Sequence, residues 1–432
     1  MEPFGQSPPR VRGPLPGAAG RAWVEELART ECPALTARRA RRAERTGAPH
    51  DPIVWTEARG ANVRDADGNV FVDFTAGFGV AAAGHGHPRI VAAIERQSRR
   101  LVHGLGDVHP SDAKLGFLSA LAERAPYEDP RILLGLNGSD AVAAALKTAL
   151  LATGRPGVLA FEGGYHGLMY GPLALCGYAP KFRQPFAAQL SPTVSFAPYP
   201  RGPGDVERVW EALDGVSDLG AVVLEPALAR GGIRFLPEGF WEALRARVHA
   251  RGGLLVADEI YVGLGRTGRY FAHPEGAPPD LLCLGKALGG GMPISALVGP
   301  AAVLEAWGDP AGEALHTATF AGHPVACAAG RAALEILEEE GLVERAATVG
   351  ARFRDRLAAA LPTYEVRGRG LMVGVEIGDG DRTLALLRRL LERGYLALPA
   401  GAGAEVLALT PPLVIGEALL DAFVAVLHEE LR

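Results

Sequence analysis

Through the middle of the chain, short unbroken apolar runs alternate with longer stretches of helical spacing. The runs are RILLGL (131–136), GVLAF (157–161), AVVLE (221–225), GLLVAD (253–258) and LLCLG (281–285). A strand buried on both faces has no polar side to show, so runs of this kind predict interior strands. Between them, segments such as Asp140–Thr153 and Phe240–Ala250 space their apolar residues as one face of a helix requires. Together they predict a mainly parallel sheet covered by helices on both faces.

The flanks read differently. NVR and VFVDF bracket Asp65–Asn69 (DADGN), a turn composition, and predict a hairpin. Ala22 to Arg45 reads as helical, and residues 1–20, rich in Pro, Gly and Arg, as disordered. From about residue 331 a helix through AALEILEEEGL leads into a second α/β region that ends in the helix Glu417–Leu431. The expected organisation is a large domain over 76–330 and a smaller one assembled from 21–75 and 331–432. No internal repeat is visible.

Composition narrows the function. In 432 residues, 48% are hydrophobic and 22% charged, a globular balance. A net charge of −5 gives no reason to expect nucleic acid or an anionic membrane as partner. The basic run Ala37–Arg45 is short and reads as a solvated helix face. Cys32, Cys176, Cys283 and Cys327 form no CxxC pair, which argues against a structural zinc and a disulfide framework. No metal is expected. With neither a secretory apolar core nor a membrane-length apolar run, the expectation is a soluble cytoplasmic protein.

The chemistry collects where the strands end, which is where open parallel sheets bind ligands. After RILLGL come Asn137, Gly138 and Ser139 at a helix start, a place suited to an anion, although an ordinary capped helix begins the same way. After GVLAF come Tyr165 and His166 between glycines, where a ring could stack on a planar ligand or simply pack in the loop. GLLVAD ends on Asp258, and a carboxylate finishing a buried strand needs a partner. Lys286 follows LLCLG, 28 residues after Asp258, with glycines ahead of it. Desolvation there would lower its pKa, as an amine nucleophile requires.

With these residues in place, a resemblance emerges. LVADEIYVGLGRTGRYFAHPEGAPPDLLCLGKALGGGMPISAL is similar to the signature of the class III aminotransferases, pyridoxal 5′-phosphate (PLP) enzymes of fold type I. VRDADGNVFVDFTAGFGVAAAGHGHPRIVAAI, NGSDAVAAALKTALLATGR, GGYHG, HTATFAGHPVACAAG, VRGRGLM and LALTPPLVI resemble further elements of that family in the same order. The resemblance implies that Lys286 carries PLP as a Schiff base and shuttles the proton, and that Asp258 pairs with the pyridinium nitrogen. Gly138 and Ser139 would hold the phosphate. Tyr165 would stack on the ring, with His166 supporting its loop and Glu225 at the pocket edge. Thr319 would reach the phosphate of a neighbouring subunit, so a homodimer with shared active sites is expected. Arg367 would grip a substrate carboxylate, its bland alternative being a salt bridge between domains.

The departures from the family bear on substrate. Leu168 stands where many relatives carry an arginine, and EPALARGG puts Leu228 and Arg230 where Gln and Glu are usual. Arg230 is expected either to supply a relocated carboxylate contact, with Arg367 still available, or to point to the surface. Tyr261, three residues after Asp258, would bond the cofactor's phenolic oxygen, and Phe78 would line the pocket without the hydroxyl of ornithine-using relatives. The implied activity moves an amino group from an amine or ω-amino acid to 2-oxoglutarate or pyruvate. An aminomutase, an epimerase, a decarboxylating transaminase and a non-catalytic PLP-binding protein are the alternatives. The Gly265–Gly268 segment (GRTG) speaks against the aminomutase, and no GxGxxG supports a dinucleotide site.

Overall fold

The DADGN turn closes a hairpin in the structure, a computed structural model that describes residues 4–47, 52–308 and 313–432. Strands β1 (Trp55–Arg59), β2 (Asn62–Asp65) and β3 (Val70–Asp73) are antiparallel neighbours. Asp65 Oδ1 accepts from the backbone N–H of Asp67 and Asn69, and Gly68 takes φ +81°, a conformation glycine adopts without strain.

The expectation of disorder over residues 1–20 is corrected for the described part. Asn62 Oδ1 accepts the N–H groups of Gly5 (2.9 Å) and Ser7 (2.7 Å), and Arg10 bridges Val70 at the edge of the hairpin. The Asp67 carboxylate accepts from Ala19 and Gly20 at the start of α1 (Ala18–Thr30). Composition alone cannot show partners supplied by a turn 50 residues away. The single helical stretch is also two helices, because Pro33 bars helical geometry at Cys32 and starts α2 (Pro33–Thr46) afresh.

The apolar runs form β4 (Pro130–Gly135), β5 (Gly157–Phe161), β6 (Val194–Ala197) and β7 (Leu219–Leu224). A two-stranded ribbon, β8 (Ala227–Leu228) and β9 (Arg234–Phe235), leaves the sheet before β10 (Leu254–Asp258), β11 (Leu281–Leu284) and β12 (Ser295–Pro300) complete it. The order is β4-β12-β11-β10-β7-β5-β6, parallel except for β12, which runs against both neighbours. Two strands escape the apolar-run criterion. β6 is four residues at a sheet edge, and β12 follows directly on the Gly-rich turn that masks its start.

Beyond the sheet, β13 (Val366–Arg369), β14 (Met372–Glu376), β16 (Leu398–Ala400) and β17 (Val406–Leu409) make an antiparallel sheet. β15 (Tyr395–Leu396) pairs with β3 instead, so the two chain ends share a sheet. Phe74, fully buried, stacks on Phe423 of the terminal helix at 4.1 Å between ring centroids, fastening the same junction. The border expected at residue 330 falls inside one continuous helix, Pro324–Glu339, whose small buried residues pack on the helices Pro88–Arg100 and Asp112–Ala122.

Candidate active site

Because β4, β5, β7, β10 and β11 are mutually parallel, their carboxyl ends lie at one edge of the sheet. A cavity of about 530 Å³ opens there, large enough for a small heterocyclic phosphate. Gly138, Ser139, Tyr165, His166, Glu225, Arg230, Asp258, Tyr261 and Lys286 all line it. Sequence positions spread over some 150 residues are therefore gathered by topology alone.

Asp258, only 3% exposed, ends β10 with Oδ2 at 2.7 Å from His166 Nδ1 and Oδ1 accepting from Ile260 N–H at 3.1 Å. His166 thus does more than support a loop: it is the protein partner of the buried carboxylate. Burial alone would depress the imidazole pKa, but the hydrogen bond and charge of Asp258, aided by Glu225, leave it raised. Its Nε2 is buried without a partner. Glu225 closes the network from β7. Oε1 accepts from Tyr165 N–H (2.9 Å) and Oε2 from Ala229 N–H (3.1 Å), so one carboxylate holds two loops. Burial first, and then the charge of Asp258, push Glu225 up to about 7.

Lys286 follows β11 in a tight turn with φ +45°, unusual for a residue with a side chain and worth about 1–3 kcal/mol of strain. Strain of this size persists where packing over-determines it, which fits a residue held for function. The Nζ atom lies 4.3 Å from the centroid of the Tyr261 ring. Desolvation, reinforced by the charge of Arg230, outweighs Asp258 and Glu225 and brings Lys286 down to about 8. Tyr261 turns its hydroxyl to Thr410 Oγ1 at 3.1 Å.

The helix Gly138–Thr153 begins at the cavity wall, and its first N–H groups have no acceptor within the helix. A Cβ on Gly138 would stand 2.7 Å from Ile260 Cδ1, and a Cβ on Gly167, at φ +104°, would collide with Ser139 Oγ. Glycine keeps this corner open to an anion. Replacing Gly167 with Ala should cost about 1–3 kcal/mol of stability through the forced φ. It should also weaken PLP binding, since Ser139 must move; urea unfolding and a PLP titration would measure the two effects.

Three expected site residues do not line this chain's cavity, and one of them, Thr319, is expected at a neighbouring subunit's site. Phe78, 62% exposed, does not line the cavity, because the turn at positive φ swings it out and Val80 lines the wall instead. Thr319 is exposed on its own chain near His103 and His323, outside the cavity. Arg367 does not line the cavity either. Its Nε donates to the carbonyls of Gly232 (3.1 Å) and Ile233 (2.8 Å), and its Nη2 to Gly232 (2.6 Å) and Glu376 (2.9 Å). The bland alternative, a structural salt bridge, is the arrangement observed. Arg230, by contrast, faces the cavity and not the surface. Its guanidinium carbon sits 4.4, 4.9 and 5.6 Å from the ring centroids of Tyr165, Tyr178 and Phe182. Sequence reasoning missed Tyr178 and Phe182, which lie in a segment with no motif of its own, and Thr410, which lies within the LALTPPLVI element.

The residues fit PLP. The fit rests on a desolvated lysine, a buried carboxylate braced by a histidine, and a helix start that a methyl group would block, all on one cavity. Such a site on such a sheet defines a PLP enzyme of fold type I. The comparisons agree: the family model described as aminotransferase class-III matches residues 44–431. The chain belongs to the class III aminotransferase family and is a PLP-dependent transaminase. It is 39% identical to an acetylornithine aminotransferase of Methanopyrus kandleri, over 88% of this chain and 95% of that one. An alanine/serine racemase of Pyrococcus horikoshii is 32% identical over 88% and 86%. The crystal structure of the ornithine aminotransferase of Toxoplasma gondii matches with a TM-score of 0.83 and 29% identity, covering 96% of each chain. A second structure of that enzyme (TM-score 0.80, 30% identity, 95% and 96% covered) has PLP at partial occupancy in its active site.

Proposed function

We propose that the protein moves an amino group from an amine or ω-amino acid to a 2-oxo acid, 2-oxoglutarate or pyruvate, with Lys286 as the covalent and proton-carrying residue. The observation that carries this reading is the joint placement of Lys286 and the Asp258–His166 pair on one cavity. Bound PLP supplies an electron sink for the carbon that loses its proton. The chain's own groups do the rest. Asp258 would pair its negative charge with the cofactor's ring nitrogen, and His166 and Ile260 N–H hold its two oxygens in place. Gly138 and Ser139 would anchor the phosphate, Tyr165 would stack on the cofactor ring, and the Tyr261 hydroxyl, held by Thr410, would bond the cofactor's phenolic oxygen. Lys286 Nζ, neutral in about half of the molecules at pH 8 and in most of them above it, would accept the donor's proton and return it elsewhere.

The working unit in this reading is a homodimer in the cytoplasm. Thr319, Leu105, Val108 and Phe320 are exposed together on one chain, an apolar surface that a second subunit would cover while bringing Thr319 to its partner's phosphate. Acceptance of ω-amino donors is supported by the relatives named as ornithine and acetylornithine aminotransferases.

The racemase among the relatives supports a second reading, in which the proton returns to the carbon it left. Incubation with an ω-amino acid and 2-oxoglutarate separates them. Carbonyl product and glutamate in equal amounts are expected. Inversion of a single-enantiomer amino acid without any carbonyl product would give the racemase reading the site.

A further inference from the structure

We propose that Arg230 binds the carboxylate of the amino donor, and that Arg367 is a positioning residue for the loop that carries Arg230. The inference rests on the transaminase reading above and names the substrate feature that its pocket selects.

The loop between β8 and β9 is tied at Ala229, Arg230, Gly232 and Ile233. Ala229 N–H donates to Glu225, and the Arg230 carbonyl accepts from Gly401 N–H at 2.9 Å. Gly232 and Ile233 both take positive φ, +108° and +52°, so the loop turns back sharply on itself. Their carbonyls are the ones that Arg367 holds, and Arg367 Nη2 is held in turn by Glu376. Releasing Arg367 towards a substrate would break four hydrogen bonds and free a strained turn. Its side chain is only 11% exposed, which leaves a ligand little of it to touch.

Arg230 is held in the opposite manner. Three aromatic rings surround its guanidinium, and the Tyr178 hydroxyl donates to Gly401 O (2.8 Å), fixing the box to the residue that also fixes the Arg230 backbone. Beyond the hydrogen bond it shares with the Tyr165 side chain, this guanidinium has further N–H donors to offer an anion, and a carboxylate can take two of them in parallel. Among the described residues Arg230 forms no ion pair with a carboxylate; the neighbouring Glu376 is taken by Arg234 and Arg367. Arg230 lines the same cavity as Lys286 and its charge is felt there. The ligand class is therefore an amine or amino acid whose carboxylate lies away from the reacting amino group.

The test uses the holoenzyme and two readouts. The first is calorimetric titration with pentanoate, which has a carboxylate and no amine to react. The second is the ratio of kcat/KM for 5-aminopentanoate to that for pentylamine. In Arg230→Gln, pentanoate should bind about tenfold to a hundredfold more weakly and the ratio should fall by a similar factor. Arg230→Lys should recover part of both. Arg367→Lys should lower Tm but leave the ratio within about threefold of wild type. Retention of pentanoate binding and ratio in Arg230→Gln would overturn the proposal, as would a ratio that collapses only in Arg367→Lys. Wild-type enzyme that binds pentanoate but converts neither amine would count against the transaminase reading, while the titration of the variants would still decide Arg230.

Discussion

Replacing Lys286 with Ala should leave a folded protein that binds PLP without a covalent link and turns over at least about 10²–10⁴-fold more slowly, the usual worth of a placed proton carrier. The argument is positional. Lys286 sits at the end of a fully buried strand, over the Tyr261 ring, and its strained backbone aims it into the cavity. The same burial sets the pH dependence. With the ammonium brought down to about 8, the share of neutral amine grows as pH rises towards that value. The single-turnover rate with an excess of donor should therefore climb from pH 6, pass its half-way point near 8 and level off above about 9. Because the positive charge of Arg230 helps to lower Lys286, Arg230→Gln should move that limb to higher pH. A Lys286→Ala enzyme with near-wild-type turnover, or a flat profile, would contradict this account.

The second large effect is expected at Asp258. Asp258→Asn keeps the size of the side chain but removes the charge, and the half-reaction with donor should slow by about 10²–10³-fold, as when a fixed charge is withdrawn from a developing one. The change should be felt at His166 too. Asp258 holds that imidazole pKa up against burial, so in the variant, with only the charge of Glu225 left to oppose desolvation, the His166 pKa should fall. Stopped-flow absorbance would give the rate, and the His166 proton resonances the titration. A rate within threefold of wild type would remove Asp258 from the mechanism.

Much of this site was legible in the sequence because its residues sit at strand ends, and strand ends are where apolar runs stop. Lys286, Asp258, Glu225 and the Gly138–Ser139 turn each follow such a run, and all four line one cavity. The pairing of His166 with Asp258 was not legible, since the two are 92 positions apart and only the adjacency of their loops joins them. Arg367 shows a different limit. A motif fixes which residue stands at a position but not which acceptors surround it, and here the Gly232 and Ile233 carbonyls had already claimed the guanidinium. Phe78 failed for a backbone reason, as a run of positive φ values at Ala76–Gly79 turned it outward. The ordered N-terminal segment failed for lack of any local signal. Its partners, Asn62, Asp67 and Asn69, are polar side chains of the hairpin and its turn.

The chain has four lysines, and this makes the central claim directly measurable. Lys114 and Lys147 donate to the carbonyls of Gly106 and Leu315, and Lys181 lies over the Phe182 ring; only Lys286 lines the cavity. Borohydride reduction of the PLP-loaded protein, followed by peptide mass analysis, should find the reduced pyridoxyl group on Lys286 alone. The group on Lys114, Lys147 or Lys181, or on no lysine at all, would contradict the assignment from which the rest of the site is built.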